Sequence, residues 1–303
     1  MSSQKSVFIW TEAFNCTEIL PPFLDSFRTH HDLQLNVVVA RDESHLVPKK
    51  PGVEVLNLGN NLQSFFFKNS ESQVKKGYRL GHLGTARIWS HLIQERKEEY
   101  LIHLDADTVF LGDTVSQLIR NLESGFDFVG TRRPYRNRGY RLEGKDGLRL
   151  NKHPDVLNTD FIGFRRKAIS NRYSPFLTRW IRGKRPLRYP VVDFFDPILL
   201  RAISNGRKIL YIDSPNDGQH AFPNYDSEYF KNRISFAAVG SGLNFFKNPG
   251  VETSPGYKSY AISSFALYSK YLLDTDIGVP VLDNPEILAK LIKLDKKSWK
   301  LRS

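Results

Sequence analysis

Short apolar runs alternate with longer polar stretches over the first hundred residues, and this pattern restricts the fold more than any other feature. Four runs have the length and composition of buried strands, at residues 6–10, 35–40, 53–58 and 100–104. Between them, residues 18–28, entered through two prolines, and residues 84–97, with apolar residues at helical spacing, are predicted helices. The alternation predicts an α/β fold with a mostly parallel, doubly wound (Rossmann-like) central sheet flanked by helices.

The second half of the chain is less regular. Residues 132–149 are rich in basic residues, glycine and proline, and we interpret them as a long surface loop. Further along we predict a strand at 158–165, a helix at 197–205, a strand at 208–212, loops from 213 to 256, and two closing helices at 259–273 and 285–300. The chain therefore divides into a main domain, residues 1–256, and a C-terminal helical extension, residues 257–303, packed on it.

The composition excludes several classes of protein. Hydrophobic residues make up 40% of the 303 residues and charged residues 25%, which predicts a packed core. Cys16 is the only cysteine, so an internal disulfide and zinc sites rich in cysteine are excluded. The N-terminal residues lack the apolar core of a signal peptide, and no run approaches the roughly 18 apolar residues of a membrane span. We expect a cytoplasmic protein.

The most informative motif is Asp105-Ala106-Asp107, which directly follows the apolar residues 100–104. Residues two apart in an extended chain share a face, so both carboxylates can point into one site. At the carboxyl end of a strand in an open α/β sheet they would face the ligand crevice. Two carboxylates suit Mg²⁺ or Mn²⁺, which in turn suits a diphosphate. Asp274-Thr275-Asp276 has the same spacing but follows a predicted helix, and we interpret it as a cap or turn.

Residues 100–113 (YLIHLDADTVFLGD) resemble the D-x-D strand of the nucleotide-sugar glycosyltransferases with the GT-A fold. The nearest resemblance is to the group of glycogenin and the bacterial lipopolysaccharide galactosyltransferases. Three more segments follow the order of that family: residues 84–87 (GTAR) resemble T-y-a-R, residues 157–164 (LNTDFIGF) resemble F-N-S-G-V-M, and residues 192–200 (VDFFDPILL) resemble G-D-Q-x-x-L-N. Asp160 stands where the family usually has glycine.

The resemblance implies a GT-A catalytic domain that transfers a sugar from a nucleoside-diphosphate sugar, by family default a UDP-sugar. It implies a divalent cation, Mn²⁺ or Mg²⁺, held by Asp105 and Asp107 and bridging the donor diphosphate. Nucleotide contacts are implied for the loop after the first strand. The residues expected to bind the donor are Thr11, Glu12, Asn15, Arg79, Arg87, Asp105 and Lys247.

The third metal ligand of the family is missing. The family carries a histidine in H-x-x-G-x-x-K-P-W, and the best match here has Ala237 in the histidine position. His220, on a loop after a predicted strand, is our candidate for the missing ligand. His103, two residues before Asp105 on the same strand face, is expected to be packed.

Two further acids are candidates for the chemistry. An inverting transferase needs a carboxylate that deprotonates the acceptor hydroxyl, whereas a retaining one can use the leaving phosphate. Asp193 and Asp196 are three residues apart. Because Asp196 directly precedes Pro197 and suits a helix N-cap, we favour Asp193 for the site. The resemblance favours retention.

The charge of the chain points to an anionic partner. Lys and Arg number 44 against 32 acids, a net charge of +12. Residues 132–149 and 165–188 together hold sixteen basic residues and two acids, which would suit a glycan or glycolipid acceptor that carries phosphate or carboxylate. Nucleic acid is disfavoured because no recognition motif accompanies the charge. The basic, amphipathic residues 285–300 fit either packing on the domain or peripheral docking on the inner face of a membrane.

Two other classes remain open. A haloacid-dehalogenase-type phosphatase would use Asp105 as its nucleophile, although that motif normally opens its fold and three predicted strands precede it here. A basic carbohydrate- or nucleic-acid-binding protein would bind without metal and would be indifferent to Asp107→Asn. The chain has no P-loop, no G-x-G-x-x-G after the first strand and no H-E-x-x-H.

Overall fold

A computed structural model describes the parts of the chain that form the sheet and the helices around it. The described residues are 6–14, 16–58, 80–110, 112–133, 156–169, 195, 198–199, 202–203, 205–212, 233–235, 239–248, 250 and 255–269. The strands are β1 Val7–Glu12, β2 Leu35–Val39, β3 Val53–Asn57, β4 Tyr100–Leu104, β5 Thr108–Phe110, β6 Phe128–Arg133, β7 Val156–Arg165, β8 Ile209–Tyr211 and β9 Arg233–Ser235. The helices are α1 Leu20–His30, α2 Leu80–Glu95, α3 Thr114–Glu123, α4 Val239–Lys247 and α5 Pro255–Tyr268.

Seven of these strands form one sheet in the order β3-β2-β1-β4-β7-β6-β8. The strands β1 to β4, β6 and β8 run in one direction, and β7 runs against its neighbours β4 and β6. A separate antiparallel pair joins β5 to β9. The predicted α/β class with a mostly parallel central sheet is therefore confirmed.

The direction of chain growth changes between β1 and β4. From β1 the chain moves outward to β2 and β3, and it then returns to place β4 on the other side of β1. In open α/β sheets, ligands bind outside the carboxyl ends of the strands at such a switch point. The ends of β1 and β4 are therefore the part of the sheet where a ligand site is expected.

Each face of the sheet is covered by its own apolar layer. Along β1, Phe8 and Trp10 point to the layer that contains Trp89 of α2, whereas Ile9 points to the layer that contains Phe23 of α1. The alternation follows from the two-residue period of a strand. Burial of each of these large side chains contributes about 2 kcal/mol to the stability of the fold. The two layers therefore stabilise the sheet around β1.

Helix α1 illustrates how the sequence specifies a covering helix. Prolines occupy its first turn, where a missing N–H costs nothing. Its buried residues repeat at intervals of three and four: Leu20, Phe23, Leu24 and Phe27. The helix ends where His31 becomes extended and donates its N–H to the carbonyl of Phe27.

Several sequence predictions are corrected by the structure. Residues 213–256 are not all loops, because β9 and α4 lie within them. The proposed surface loop at 132–149 begins too early, since Arg132 and Arg133 belong to β6. Strand β5 and helix α3 were not predicted. The predicted helix 285–300 and the pair Asp274 and Asp276 lie outside the described residues.

Helix α5 begins at Pro255, two residues before the proposed domain boundary. Its Phe265 and Tyr268 are buried in the same apolar layer as α1, and the hydroxyl of Tyr268 donates to the carbonyl of Ile19 at 2.8 Å. Among the described helices, none is long and apolar enough to cross a membrane.

Candidate functional site

The D-x-D residues lie at the carboxyl end of β4, beside β1. Asp105 directly follows the strand, Ala106 and Asp107 form a turn, and β5 begins at Thr108. The side chain of Asp105 is 46% exposed. The sequence-based placement of the pair at a strand end therefore agrees with the structure, and the topology puts that strand next to the switch point.

Asp107 is the second residue of this turn, and its side chain faces the beginning of α4. Its carboxylate accepts hydrogen bonds from its own N–H and from the N–H of Val239, the first residue of α4. Burial raises the pKa of Asp107 well above its usual value, and the negative charges of Asp105 and Asp160 raise it further. A positive charge at this place would relieve that repulsion.

Asp160 is brought beside Asp105 by the antiparallel register of β4 with β7, in which Leu104 pairs with Phe161, and the pairing of β7 with β6 is irregular nearby. Gly130 pairs with Ile162 but Arg132 pairs with Leu157, so β7 carries extra residues at this point. Such a bulge redirects side chains at a strand end. The carbonyl of Asp160 accepts the N–H of Asp105 at 2.8 Å, which fixes the two residues side by side.

The carboxylate of Asp160 has two partners. The hydroxyl of Thr131 donates to its Oδ1 at 3.0 Å, and Nη1 of Arg233 lies 3.6 Å from its Oδ2. Arg233 is 1% exposed, and its guanidinium stacks over the ring of Phe161 at 4.1 Å. Within the described residues, Nε and Nη1 of Arg233 make no hydrogen bond. Among the described residues, charge and stacking are the contacts seen for this guanidinium.

His103 links β4 to the end of β1. Its ring is 2% exposed and packs against Trp10 and Trp89, with centroids 5.3 and 4.6 Å away. Nε2 lies 3.6 Å from Oε2 of Glu12 and 3.8 Å from Oδ1 of Asp105. Burial alone would lower the pKa of His103, but Glu12 and then Asp105 raise it to about 9. The expectation that His103 is packed agrees with this arrangement.

Besides Asp105, the described residues that were proposed to bind the donor lie on β1, α2 and α4. Thr11 is buried on β1, and its hydroxyl has no hydrogen-bond partner among the described residues. Glu12 accepts the indole N–H of Trp10 at 3.1 Å and is only 11% exposed, so it serves as a partner of His103. Lys247, at the end of α4, forms an ion pair with Glu18. Arg87 lies on α2, and nothing is described of its side chain.

The remaining predicted site residues lie outside the described part of the chain. They are Asn15, Arg79, Asp193, Asp196 and His220. Their roles stay predictions.

Sequence reasoning missed the contribution of Asp160 and Arg233. In the sequence, Asp160 stands out only as an acid where the family usually has glycine. No sequence pattern predicts that it lies beside Asp105. Arg233 looked like one basic residue among many. Its position in the site depends on the pairing of β9 with β5, which places Arg233 opposite Phe110.

The donor set fits a cation that also binds substrate. Within the described ranges, no three His, Cys, Asp or Glu side chains form a complete ligand group. Mg²⁺ and related cations are commonly held by one or two carboxylates, with waters and substrate phosphates as the other ligands. Asp105 and Asp107 could supply such a pair of hard oxygen ligands, and the negative charges of Asp105 and Asp160 near Asp107 would favour a cation there.

No protein-family model and no curated protein matches this chain.

Proposed function

We propose that this protein is a metal-dependent glycosyltransferase that moves a sugar from a nucleoside-diphosphate sugar to a hydroxyl of a glycan or glycolipid. The observation that carries the proposal is the position of Asp105 and Asp107 at the carboxyl end of β4, beside the switch point of a mostly parallel sheet. A diphosphate with a divalent cation is the ligand that such a pair at such a place suits. The resemblance of the D-x-D strand supports a UDP-sugar as donor and retention as the outcome.

The residues of the site have separate roles in this proposal. Asp105 and Asp107 would hold Mn²⁺ or Mg²⁺, which supplies positive charge against the charge that develops on the leaving diphosphate. Glu12 and Asp105 raise the pKa of His103, whose Nε2 lies between their carboxylates and would keep the end of β1 beside Asp105. Asp193 stays the favoured acid for contact with the acceptor hydroxyl.

The acceptor is proposed to be anionic. Apart from Arg165, whose guanidinium donates to the carbonyls of Leu122 and Phe126, the basic residues of 132–149 and 165–188 would attract a glycan or glycolipid that carries phosphate or carboxylate. Peripheral contact with a membrane through residues 285–300 belongs to the same proposal.

A thermal-unfolding panel tests the donor and the cation together. UDP, GDP, CMP and their common sugar conjugates are each added with and without Mn²⁺, to the parent protein and to Asp107→Ala. A ligand at 100 times its dissociation constant stabilises a fold by roughly 2.7 kcal/mol, which is a visible shift. We expect one nucleotide to stabilise the parent only with Mn²⁺, and Asp107→Ala to lose that response while still unfolding cooperatively.

The control is Asp276→Ala, which removes a carboxylate from the other pair with the same spacing. Its response should equal that of the parent. A full nucleotide and Mn²⁺ response in Asp107→Ala would overturn the proposal. Stabilisation by anionic polymers without metal would favour a binding protein, and turnover of phosphate esters that depends on Asp105 would favour a phosphatase.

A further inference from the structure

We propose that Arg233 is an internal counter-ion of the D-x-D site and sets the affinity of its divalent cation through Asp160. The inference rests on the proposed function, because it concerns the same cation. It assigns a positioning role to two residues that the family resemblance leaves unassigned.

The first step is that Asp160 belongs to the site by its backbone as well as by its charge. Its carbonyl accepts the N–H of Asp105, so the two residues are neighbours across the β4–β7 edge. Thr131 holds one carboxylate oxygen from β6 at 3.0 Å. Asp160 is therefore a fixed negative charge next to the D-x-D pair.

The second step is that Arg233 is aimed at this charge from the other side of the turn. The turn that contains Asp107 leads directly into β5, and β9 pairs with β5 so that Arg233 lies opposite Phe110. From there the guanidinium reaches back over Phe161 to within 3.6 Å of Asp160. The pairing of β9 with β5 thus brings the positive charge of Arg233 to Asp160, the neighbour of Asp105.

The third step concerns the hydrogen bonds that Arg233 does not make. A buried guanidinium normally forms a bidentate pair with its carboxylate, because an unpaired buried charge is costly. Here Nε and Nη1 have no hydrogen-bond partner in the described part of the chain, although Arg233 is 1% exposed. Arg233 therefore interacts with Asp160 through charge, and not through hydrogen bonds from Nε or Nη1.

The consequence is that Arg233 and a divalent cation oppose each other. Without Arg233, the negative charge of Asp160 would no longer be balanced, and a cation held by Asp105 and Asp107 would bind more tightly. Without the charge of Asp160, Arg233 would repel the cation, and binding would be weaker. Changes in residues that support metal ligands alter affinity by about 10–100-fold, so both effects are measurable.

The test is a Mn²⁺ titration of the full chain, followed by electron paramagnetic resonance, with and without excess UDP. We expect Asp160→Asn to bind Mn²⁺ about tenfold or more weakly, and Asp160→Glu to recover most of the parent affinity. Arg233→Met should bind Mn²⁺ more tightly than the parent, and Arg233→Lys should resemble the parent. The opposite signs separate a charge effect from a structural one, because damage to the fold would weaken binding in every variant.

Asp127→Asn is the matched control. Asp127 lies at the opposite edge of the sheet, before β6, where its carboxylate accepts the N–H of Lys208 at 3.2 Å. It should bind Mn²⁺ like the parent. If Arg233→Met does not fold, the two Asp160 variants decide, and equal losses in Asp160→Asn and Asp160→Glu overturn the role of charge.

The outcomes distinguish this inference from the proposed function. If the parent binds Mn²⁺, Asp107→Ala does not, and the Asp160 and Arg233 variants equal the parent, only the inference fails. If the parent binds no Mn²⁺ with or without UDP, both fail.

Discussion

His31 shows how one buried side chain can connect two helices. It is 3% exposed, stacks on Phe27, and its Nε2 accepts the N–H of Val115 in the first turn of α3 at 3.2 Å. Its Nδ1 lies 3.0 Å from the carbonyl of Phe27 and must donate to it. The ring therefore stabilises α3 only in its neutral form, since protonated Nε2 could not accept.

We expect His31 to destabilise the protein in acid. Burial lowers the pKa of His31 from 6.5 to about 4, although the carbonyl of Phe27 and Asp113 act in the opposite direction. The unfolded chain binds the proton more readily, so stability falls as the pH falls from 6.5 to about 4 and changes little from this source above or below. The loss amounts to about 3 kcal/mol.

Urea unfolding across this pH range measures the effect. His31→Gln, whose amide oxygen can still accept from Val115, should lack this part of the pH dependence. His45→Gln is the control, because His45 is exposed, and it should keep the full dependence of the parent. Equal pH dependence in His31→Gln and the parent would contradict the prediction.

At the level of elements, α4 and α5 approach each other at a glycine. A Cβ at Gly242 would lie 1.9 Å from the carbonyl oxygen of Ala261 and 2.8 Å from Cβ of Phe265. The backbone oxygen cannot rotate away as a side chain would, so the helices would have to separate. The glycine is therefore required by the distance between the two helices.

We expect Gly242→Ala to lower the free energy of unfolding by about 3 kcal/mol, the upper part of the usual range for overpacking. Urea denaturation followed by circular dichroism measures this loss. Gly250→Ala is the control, because no atom of the described residues lies within 4 Å of the position of its Cβ. A loss in Gly242→Ala no larger than that in the control would mean that the helices adjust freely.

Strand β4 and helix α4 show what can and what cannot be predicted from the sequence. Residues 100–104 were predicted as a strand and form β4 with identical bounds, because a short apolar run in a parallel sheet is buried on both faces. Helix α4 was missed because Gly240 and Gly242 suggested a loop. Its stability comes from packing on α5, which no local pattern contains. Asp160 was missed in the site for a related reason, since its position beside Asp105 depends on the pairing of β7 with β4, two strands that are far apart in the sequence.

At the scale of the whole molecule, six strands of the main sheet share one direction, and their carboxyl ends meet at one edge. The fold thus concentrates polar side chains there, while both faces are filled by apolar layers. Asp105, Asp107 and Asp160 are held together by this topology against their mutual repulsion. Such a cluster of carboxylates lowers the stability of the fold, and under the proposed function a bound cation would relieve the repulsion.

The repulsion among these three carboxylates predicts that Asp107→Asn is more stable than the parent when no divalent cation is present. The substitution removes the charge that burial, Asp105 and Asp160 disfavour, and its amide oxygen can still accept the N–H of Val239. In the presence of a chelator, we expect urea unfolding to show a free energy of unfolding about 1 kcal/mol higher than that of the parent. We also expect the variant to lose any stabilisation by Mn²⁺. Asp127→Asn should show no gain, because its carboxylate accepts a hydrogen bond at the far edge of the sheet. An Asp107→Asn protein that is less stable than the parent in chelator, or that still responds to Mn²⁺, would show that Asp107 supports the fold and not the cation.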